Sequence, residues 1–464
     1  MKGWSLNPQV FDIAVTSSLT PLGSSVAMKD IINETMNIVY FKQAWRLLKE
    51  NRLLSMVSIL GTALAICLVM VIVIVWQVRT AGFKPETHRE RMLFVRDGRA
   101  SRKTNHEFNN CYRLSSSVVK QVFYPLQTAE AVGMATDAWS SLASTMDQTK
   151  ELRADVRYTD AGFWRLFDFE VLAGKPYPQE AVHSGLQEAV VSASLARQLF
   201  GSIEVVGQTM QLNYVPYRIC AVVGDVSVMA EASHADVWVP YTSNSTLYDN
   251  NTEGLLGTFA CYILAPSASD FPAIRAEVAR NVEKLNASKR DWELLLSGQP
   301  DSRLDLLARK NGAFGEAETG LLVLRYGLIV LLLMLVPAIN MSGLTQSRMR
   351  QRMEELGVRR AFGATRWQLI RQILLENLLQ TLIGGAIGFG LSYVVVLGLS
   401  GWLLDTGETI EGLGQVFVGA DMLFNPLIFL LAFVACLVLN LLSAGIPAWR
   451  AANNPIVESL SIHR

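Results

Sequence analysis

Residues 56–76 (MVSILGTALAICLVMVIVIVW) run for 21 positions without a charged side chain. A helix of that length covers about 32 Å, against a hydrocarbon core of about 30 Å, so the segment predicts a transmembrane helix with little tilt. Twelve of its residues are Ile, Leu or Val, whose transfer into lipid outweighs the small cost of its Ser and Thr. A cleaved signal peptide starts close to the N-terminus and carries a shorter apolar region, which sets that reading aside. Three further spans are expected at 321–339, 378–399 and 427–446. Arg325 lies one turn inside the second, close enough to its end to snorkel to the headgroups. The whole chain of 464 residues is 50% hydrophobic and only 18% charged, where a soluble chain carries about a quarter charged residues.

Four spans put both termini on one side, and Lys and Arg near the spans say which. The link 345–371 carries seven Arg and two Glu, whereas the link 401–424 carries no Lys or Arg and four acids, Asp405, Glu408, Glu411 and Asp421. Lys42, Arg46, Lys49 and Arg52 precede the first span. All three segments place the termini and the Arg-rich link in the cytoplasm. Trp45, Trp367 and Trp449 then fall near the inner interface, and Trp76 and Trp402 near the outer one, as an aromatic belt requires. The formal net charge of zero hides this polarity: inner segments hold 15 basic and 7 acidic residues, outer segments 25 and 33. A balanced chain of this kind is neither a basic nucleic-acid binder nor an acidic disordered tail.

The fold expected is that of a membrane protein, four transmembrane α-helices with a large α+β extracytoplasmic domain between helices 1 and 2. That domain, residues 77–319, is ample to bury its own core. Strand-like runs at 217–226 and 236–241 mix with a helical pattern at 270–296, where Phe271, Ile274, Val278, Val282 and Leu285 share a face and Asp270 stands at the N-cap. Residues 36–55 include an amphipathic segment with Val39, Tyr40, Ala44, Leu47 and Leu48 opposite Lys42, Arg46 and Lys49. It reads as an interfacial helix, or as a continuation of the first span. Residues 1–35 show no periodicity; they are poorly structured or reflect an upstream start, since Met36 would serve as a first residue.

Catalytic motifs are missing from the sequence: no GxxxxGK[ST] phosphate loop, no G-x-S-x-G elbow and no H-E-x-x-H. The five His are far apart, and nothing suggests a metal site. A proton or ion relay needs several ionisable groups at mid-membrane depth; Arg325 and Glu376 sit at span ends on opposite faces. Cys220 and Cys261 lie in strand-like settings, either as buried thiols or as one bridge. In the third span, Gly384 and Gly388 form a G-x-x-x-G spacing that permits close helix approach, within the chain or across a dimer.

The most specific stretch is QSRMRQRMEELGVRRAFGATRWQLIRQILLENLLQTLIGGAIGFGLSY (346–393), with the core Glu355, Leu356, Gly357, Val358, Arg359, Arg360, Ala361, Phe362, Gly363, Ala364 and Thr365. It resembles the cytoplasmic link of FtsX-like and MacB-type ABC transporter permeases. VPAINMSGL (336–344) and IPAWRAANNPIVESL (446–460) resemble the span ends of that family. YTDAGFWRLFDFEVLAGKPY (158–177) and VVSASLARQLFGSIEVVGQTMQLNYVPYRICAVVGDV (190–226) resemble the MacB-like periplasmic core domain.

The resemblance implies a non-catalytic permease of the bacterial inner membrane, with ATP and Mg on a separate ABC ATPase chain and no cofactor of its own. Its partners would be that ATPase, a second permease chain in a homo- or heterodimer, membrane lipids and, in efflux systems, a periplasmic adaptor; no nucleic acid is expected. A coupling helix in the link 345–371 would dock on the ATPase through Glu355, Gly357, Arg359, Arg360, Ala361, Gly363 and Ala364. Closure of the ATPase would then rock the helices and reshape the outer domain, exporting or extracting an antimicrobial, a peptide or a lipoprotein by mechanotransmission. Two alternatives share this topology: an FtsX-like scaffold that switches a cell-wall hydrolase, and a LolC/LolE-like lipoprotein-release permease. The MacB-like outer segments favour export.

Overall fold

The protein is described by a computed structural model over residues 46, 52–104, 109–244, 247, 253–309, 314–351, 358, 362–363, 365–399 and 426–453. The expected N-terminal segment 1–35, nearly all of the interfacial segment 36–55 up to residue 51, the outer loop 401–424 and the tail beyond residue 453 lie outside the described residues. So do Glu355, Gly357, Arg359, Arg360, Ala361 and Ala364 of the link.

Among the described residues, four helices exceed 25 residues: α1 (Arg52–Thr80), α2 (Thr319–Gln351), α3 (Arg366–Gly398) and α4 (Pro426–Asn453). By length and composition α1 and α3 suffice to cross a membrane, with mean hydropathies of 2.9 and 1.8 in their apolar windows; Thr319–Leu335 and Phe429–Gly445 are shorter apolar stretches of α2 and α4. These long helices flank a large mixed α+β domain.

Two compact units divide the chain. In the first, comprising residues 1–64, 336–387 and 435–464, α1 meets α3 through small and polar side chains. Ser58 Oγ donates to Gln380 Oε1 at 3.0 Å, and Thr62, Asn377 and Thr381 are buried beside them. Burying such groups away from water demands hydrogen-bond partners, and Thr62 and Thr381 find them in the carbonyls of Ser58 and Asn377. The start of α3 lies 12 residues before the expected span, at Arg366 rather than at residue 378. Apolar content locates the lipid-buried stretch, but the helix begins where its cap is.

The second unit comprises residues 65–335 and 388–434. Here Phe389 and Tyr393 of α3 pack on Phe429 of α4, with ring centroids 5.1 and 5.8 Å apart. Its strands form two lobes. Six close into a ring: Glu151–Thr159 pairs in parallel with Val237–Pro240, which runs antiparallel to Glu188–Ser192; that strand pairs in parallel with Val215–Val223, and Thr209–Leu212 and Trp139–Thr145 complete the circuit back to Glu151–Thr159. Closure leaves this set without an open edge. Val156, Val191, Ile219 and Val237 fill its interior with Leu195, Ala196 and Leu199 from the helix Ala193–Phe200.

In the other lobe Phe259–Leu264 lies between Ala131–Thr136 and Met92–Val95, and helix Phe271–Ser288 covers the sheet with Ile274, Val278 and Leu285. An aromatic seam, including Trp164, Trp238, Phe167 and Tyr262, joins the lobes.

The helix expected over 270–296 ends at Ser288, and Trp292–Leu295 is a strand paired with Gly98–Arg102. Asn286 explains the reversal: its side chain both accepts from Leu294 N (2.7 Å) and donates to Leu294 O (2.9 Å), turning the chain back on itself. Asp270 holds the N-cap position without a side-chain capping bond. Cys220 and Cys261 are free thiols. Burial, with Glu188 nearby, pushes Cys220 up to about 12, and burial pushes Cys261 well above the ordinary thiol value. Since the thiolate is the nucleophile, maleimide at pH 7 should label both only after denaturation; peptide mapping of native protein labelled at either position would contradict this.

Candidate functional site

An α-helix ends with four carbonyls that lack intrahelical partners and with the negative end of its dipole, so it draws cationic donors there. At the outer end of α1 two arginines from the domain supply them. Arg89 Nη1 donates to Val78 O (3.2 Å) and Ala81 O (3.0 Å), and Arg303 Nε donates to Arg79 O (2.8 Å). The planar guanidinium, with five N–H donors, reaches several carbonyls at once.

Arg89 is itself held on every side. Its Nε lies 2.7 Å from Glu86 Oε2, both side chains being fully buried. Its Nη2 donates to Met229 O at 2.6 Å, and Phe83 lies under the guanidinium, 4.1 Å from it. The other carboxylate oxygen, Glu86 Oε1, accepts from Ala232 N, Ser233 N and Ser233 Oγ at 3.0–3.1 Å. From the barrel side, Arg157 donates to the carbonyls of Glu231, Ala232 and His234. The loop 229–234 is thus clasped between α1 and the strand Glu151–Thr159.

The start of α2 is tied to the same region. Ser302 and Asp305 form a capping box on the short helix Arg303–Ala308. Asp305 also accepts from Thr319 Oγ1 (2.6 Å), at the first position of α2, and from Arg275 Nη2 (2.8 Å). Asp301 holds Arg309 in a bidentate pair at 2.5 and 2.7 Å, and its backbone pairs with Phe94. Trp76 of α1 meets Tyr326 of α2 edge-on with centroids 5.0 Å apart. One segment, 301–309, therefore grips the outer ends of both α1 and α2.

Electrostatics follow from this enclosure. Burial pushes the Glu86 carboxyl up, but Arg89, Arg303 and the hydrogen bonds from Arg89 and Ser233 outweigh it and hold Glu86 below its ordinary value of 4.5. Burial lowers the Arg303 guanidinium; Glu231 and Glu86 oppose that and Arg89 adds to it. A carboxylate with a depressed folded value contributes stability above its unfolded value and loses it as the pH falls through the folded one. The stability difference between wild type and Glu86→Gln should therefore be constant above about pH 5 and shrink in more acidic solution. Parallel urea titrations across that range check it; a difference that grows on acidification would contradict the assignment.

The residues singled out in the sequence lie elsewhere. Of the link positions, Gly363 is described: it is exposed and has φ +94°, a left-handed conformation that favours glycine. Two residues on, Thr365 and Gln368 form a reciprocal cap, Thr365 N donating to Gln368 Oε1 (2.9 Å) and Gln368 N to Thr365 Oγ1 (3.3 Å). Val358, Phe362 and Trp367 are exposed around this turn. Gly384 faces α1, where an added Cβ would lie 3.0 Å from both Ile59 O and Thr62 Cβ; Gly388 is buried. Sequence reasoning missed the joint of Glu86, Arg89 and Arg303. The S-x-x-D signature at 302–305 was the available signal for the joint, and T-x-x-Q at 365–368 the signal for the start of α3.

The family model for a MacB-like periplasmic core domain matches residues 55–281, and that for the FtsX-like permease C-terminal region matches residues 327–456. The macrolide export ATP-binding/permease protein MacB of Escherichia coli (strain K12) is 22% identical over 463 residues, covering 98% of this chain and 65% of that protein. The uncharacterized ABC transporter permease YknZ of Bacillus subtilis (strain 168) is 24% identical over 272 residues, 56% of this chain and 64% of that one. The chain thus spans just under two thirds of the length of either relative. Among solved structures, the extracellular domain of the noncanonic ABC-type transporter YknZ from Gram-positive bacteria aligns with a TM-score of 0.31 at 14% identity, over 43% of this chain and 98% of that one. With its two halves matched in this order, the chain belongs to the FtsX/MacB-type ABC permeases and carries a MacB-like periplasmic core domain.

Proposed function

We propose that the chain is the membrane permease of a MacB-type ABC transporter, working by motion of its core domain. The observation that carries this reading is the joint: the buried Arg303 guanidinium locks the end of α1, and Asp305 the start of α2, onto the single segment 301–309 of the domain, with Arg89 holding α1 from a second side. A displacement of these helices would then move the domain as a lever instead of dissipating in a flexible hinge.

In this reading α1 to α4 each cross the bacterial inner membrane, both termini are cytoplasmic and the core domain is periplasmic. An ABC ATPase docks on the link through Glu355, Gly357, Arg359, Arg360, Ala361, Gly363 and Ala364, and ATP with Mg acts there. The left-handed Gly363 and the exposed Val358 and Phe362 beside it support a docking turn. Two permease chains pair around two ATPase subunits, and an adaptor joins in efflux systems. The substrate is handled on the outer side, and antimicrobials such as macrolides, peptides and lipoproteins are the classes to test.

The experiment is reconstitution with a candidate ABC ATPase in lipid nanodiscs. The expected outcome is ATP hydrolysis stimulated by the permease, with stimulation lost in Gly357→Pro and Ala361→Asp while dimer assembly is retained. A stable permease that binds no ABC ATPase, and variants that leave stimulation intact, would contradict the docking assignment.

A further inference from the structure

At the link end of α3 a cavity of about 320 Å³ is lined by Trp367, Ile370, Arg371, Leu374, Leu375 and Leu378 of α3 and by Leu441 of α4. The α3 positions recur at intervals of three or four, so they form one stripe about 16 Å long on a single helix face. The stripe is graded. Arg371 stands beside Trp367 at one end, Arg366 is exposed in the turn before, and from Leu374 onward the α3 lining is all leucine.

The neighbouring polar residues of α3 do not interrupt this surface, because Glu376, Asn377 and Gln380 are buried away from solvent. The apolar face therefore extends from Leu374 toward the helix centre, and Arg371 stands one turn outside it. A guanidinium and a tryptophan one turn apart at one end of an apolar trough match an amphiphile that has an anionic head and a hydrocarbon tail. The volume is at the small end for ligand sites, enough for a length of acyl chain and not for a folded partner segment.

We infer that this groove is a binding site for an anionic phospholipid, its acyl chain along Leu374, Leu375, Leu378 and Leu441 and its phosphate on Arg371. The inference rests on the proposed entry of α3 into the membrane: a chain that stays in solution without detergent fails that premise, whatever lipid it binds.

The test uses the full chain, delipidated in a non-ionic detergent and offered equimolar phosphatidylglycerol and phosphatidylcholine, with retained lipid counted by native mass spectrometry. Wild type should retain phosphatidylglycerol about fivefold over phosphatidylcholine, the preference expected for one basic contact at a membrane surface. Arg371→Gln should bring the ratio to about one and Arg371→Lys should keep it, separating loss of charge from loss of fold. Leu374→Trp, which fills the trough, should remove one bound lipid. An unchanged preference in Arg371→Gln overturns the inference. So does Leu374→Trp splitting a dimer without changing lipid retention, which gives the groove to a second copy of the chain. Displacement of phosphatidylglycerol by equimolar inorganic phosphate also overturns it, since a bare anion site needs no trough.

Discussion

Arg89→Met is expected to destabilise the core domain by about 3–5 kcal/mol, the range for removing one partner of a buried ion pair. Three losses converge. Glu86 would stay in a fully buried site without its close partner, the carbonyls of Val78 and Ala81 would lose their donor, and Met229 O would lose its own. The double variant Glu86→Gln with Arg89→Met should recover part of that loss, because no unpaired charge is left, although the three carbonyls remain without a donor. Urea denaturation of the detergent-solubilised chain, followed by tryptophan fluorescence to which the buried Trp238 contributes, measures both. Equal destabilisation in the single and double variants would show that packing, not charge, dominates the joint.

The second large effect is expected at Gly384. A Cβ there would already lie 3.0 Å from the backbone oxygen of Ile59, which cannot rotate aside as a side chain can, and 3.0 Å from Thr62 Cβ. Gly384→Val adds two methyl groups beyond that point and must push α1 off α3 at this level. Overpacking of this kind costs about 1–3 kcal/mol. Separation would also break the Ser58–Gln380 hydrogen bond, worth about 0.6 kcal/mol between membrane helices. Cysteines placed at Ser58 and Gln380 should cross-link readily in the Gly384 background and poorly with valine at 384. Equal cross-linking in both would mean that the helices have another way to pack.

How much of this was legible beforehand depends on the range of the interaction involved. The apolar segments that became the long helices are local features, readable because lipid imposes a length on each. The capping patterns Ser302-x-x-Asp305 and Thr365-x-x-Gln368 are also local, and explain why α3 starts well before its apolar stretch. Asn286, which ends the helix at Ser288 by bonding Leu294, acts over eight residues and reads as an ordinary polar position in a helical pattern. Glu86, Arg89 and Arg303 are isolated charges in sequence. Arg303 meets a carbonyl 224 residues away and Arg89 one 140 residues away, so only the closed fold brings them to one helix end. The Gly384 spacing was readable as close approach, but whether the neighbour was α1 or another chain depended on tertiary packing. The link residues from Glu355 to Ala364, apart from Val358, Phe362 and Gly363, lie outside the described structure, and docking through them is a proposal drawn from the family resemblance.

In the proposed mechanism, nucleotide-driven movement reaches the core domain through the joint of Glu86, Arg89 and Arg303. Spin labels at Lys150→Cys, an exposed site on the barrel lobe, in a Cys111→Ser background, would report the distance between the core domains of the two permease chains in the proposed assembly. With ATP trapped against ADP, wild type should show a shifted distance distribution. Arg303→Met, which frees Arg79 O at the end of α1, should abolish the shift while ATP hydrolysis continues. An identical shift in wild type and Arg303→Met would show that the movement does not pass through this joint.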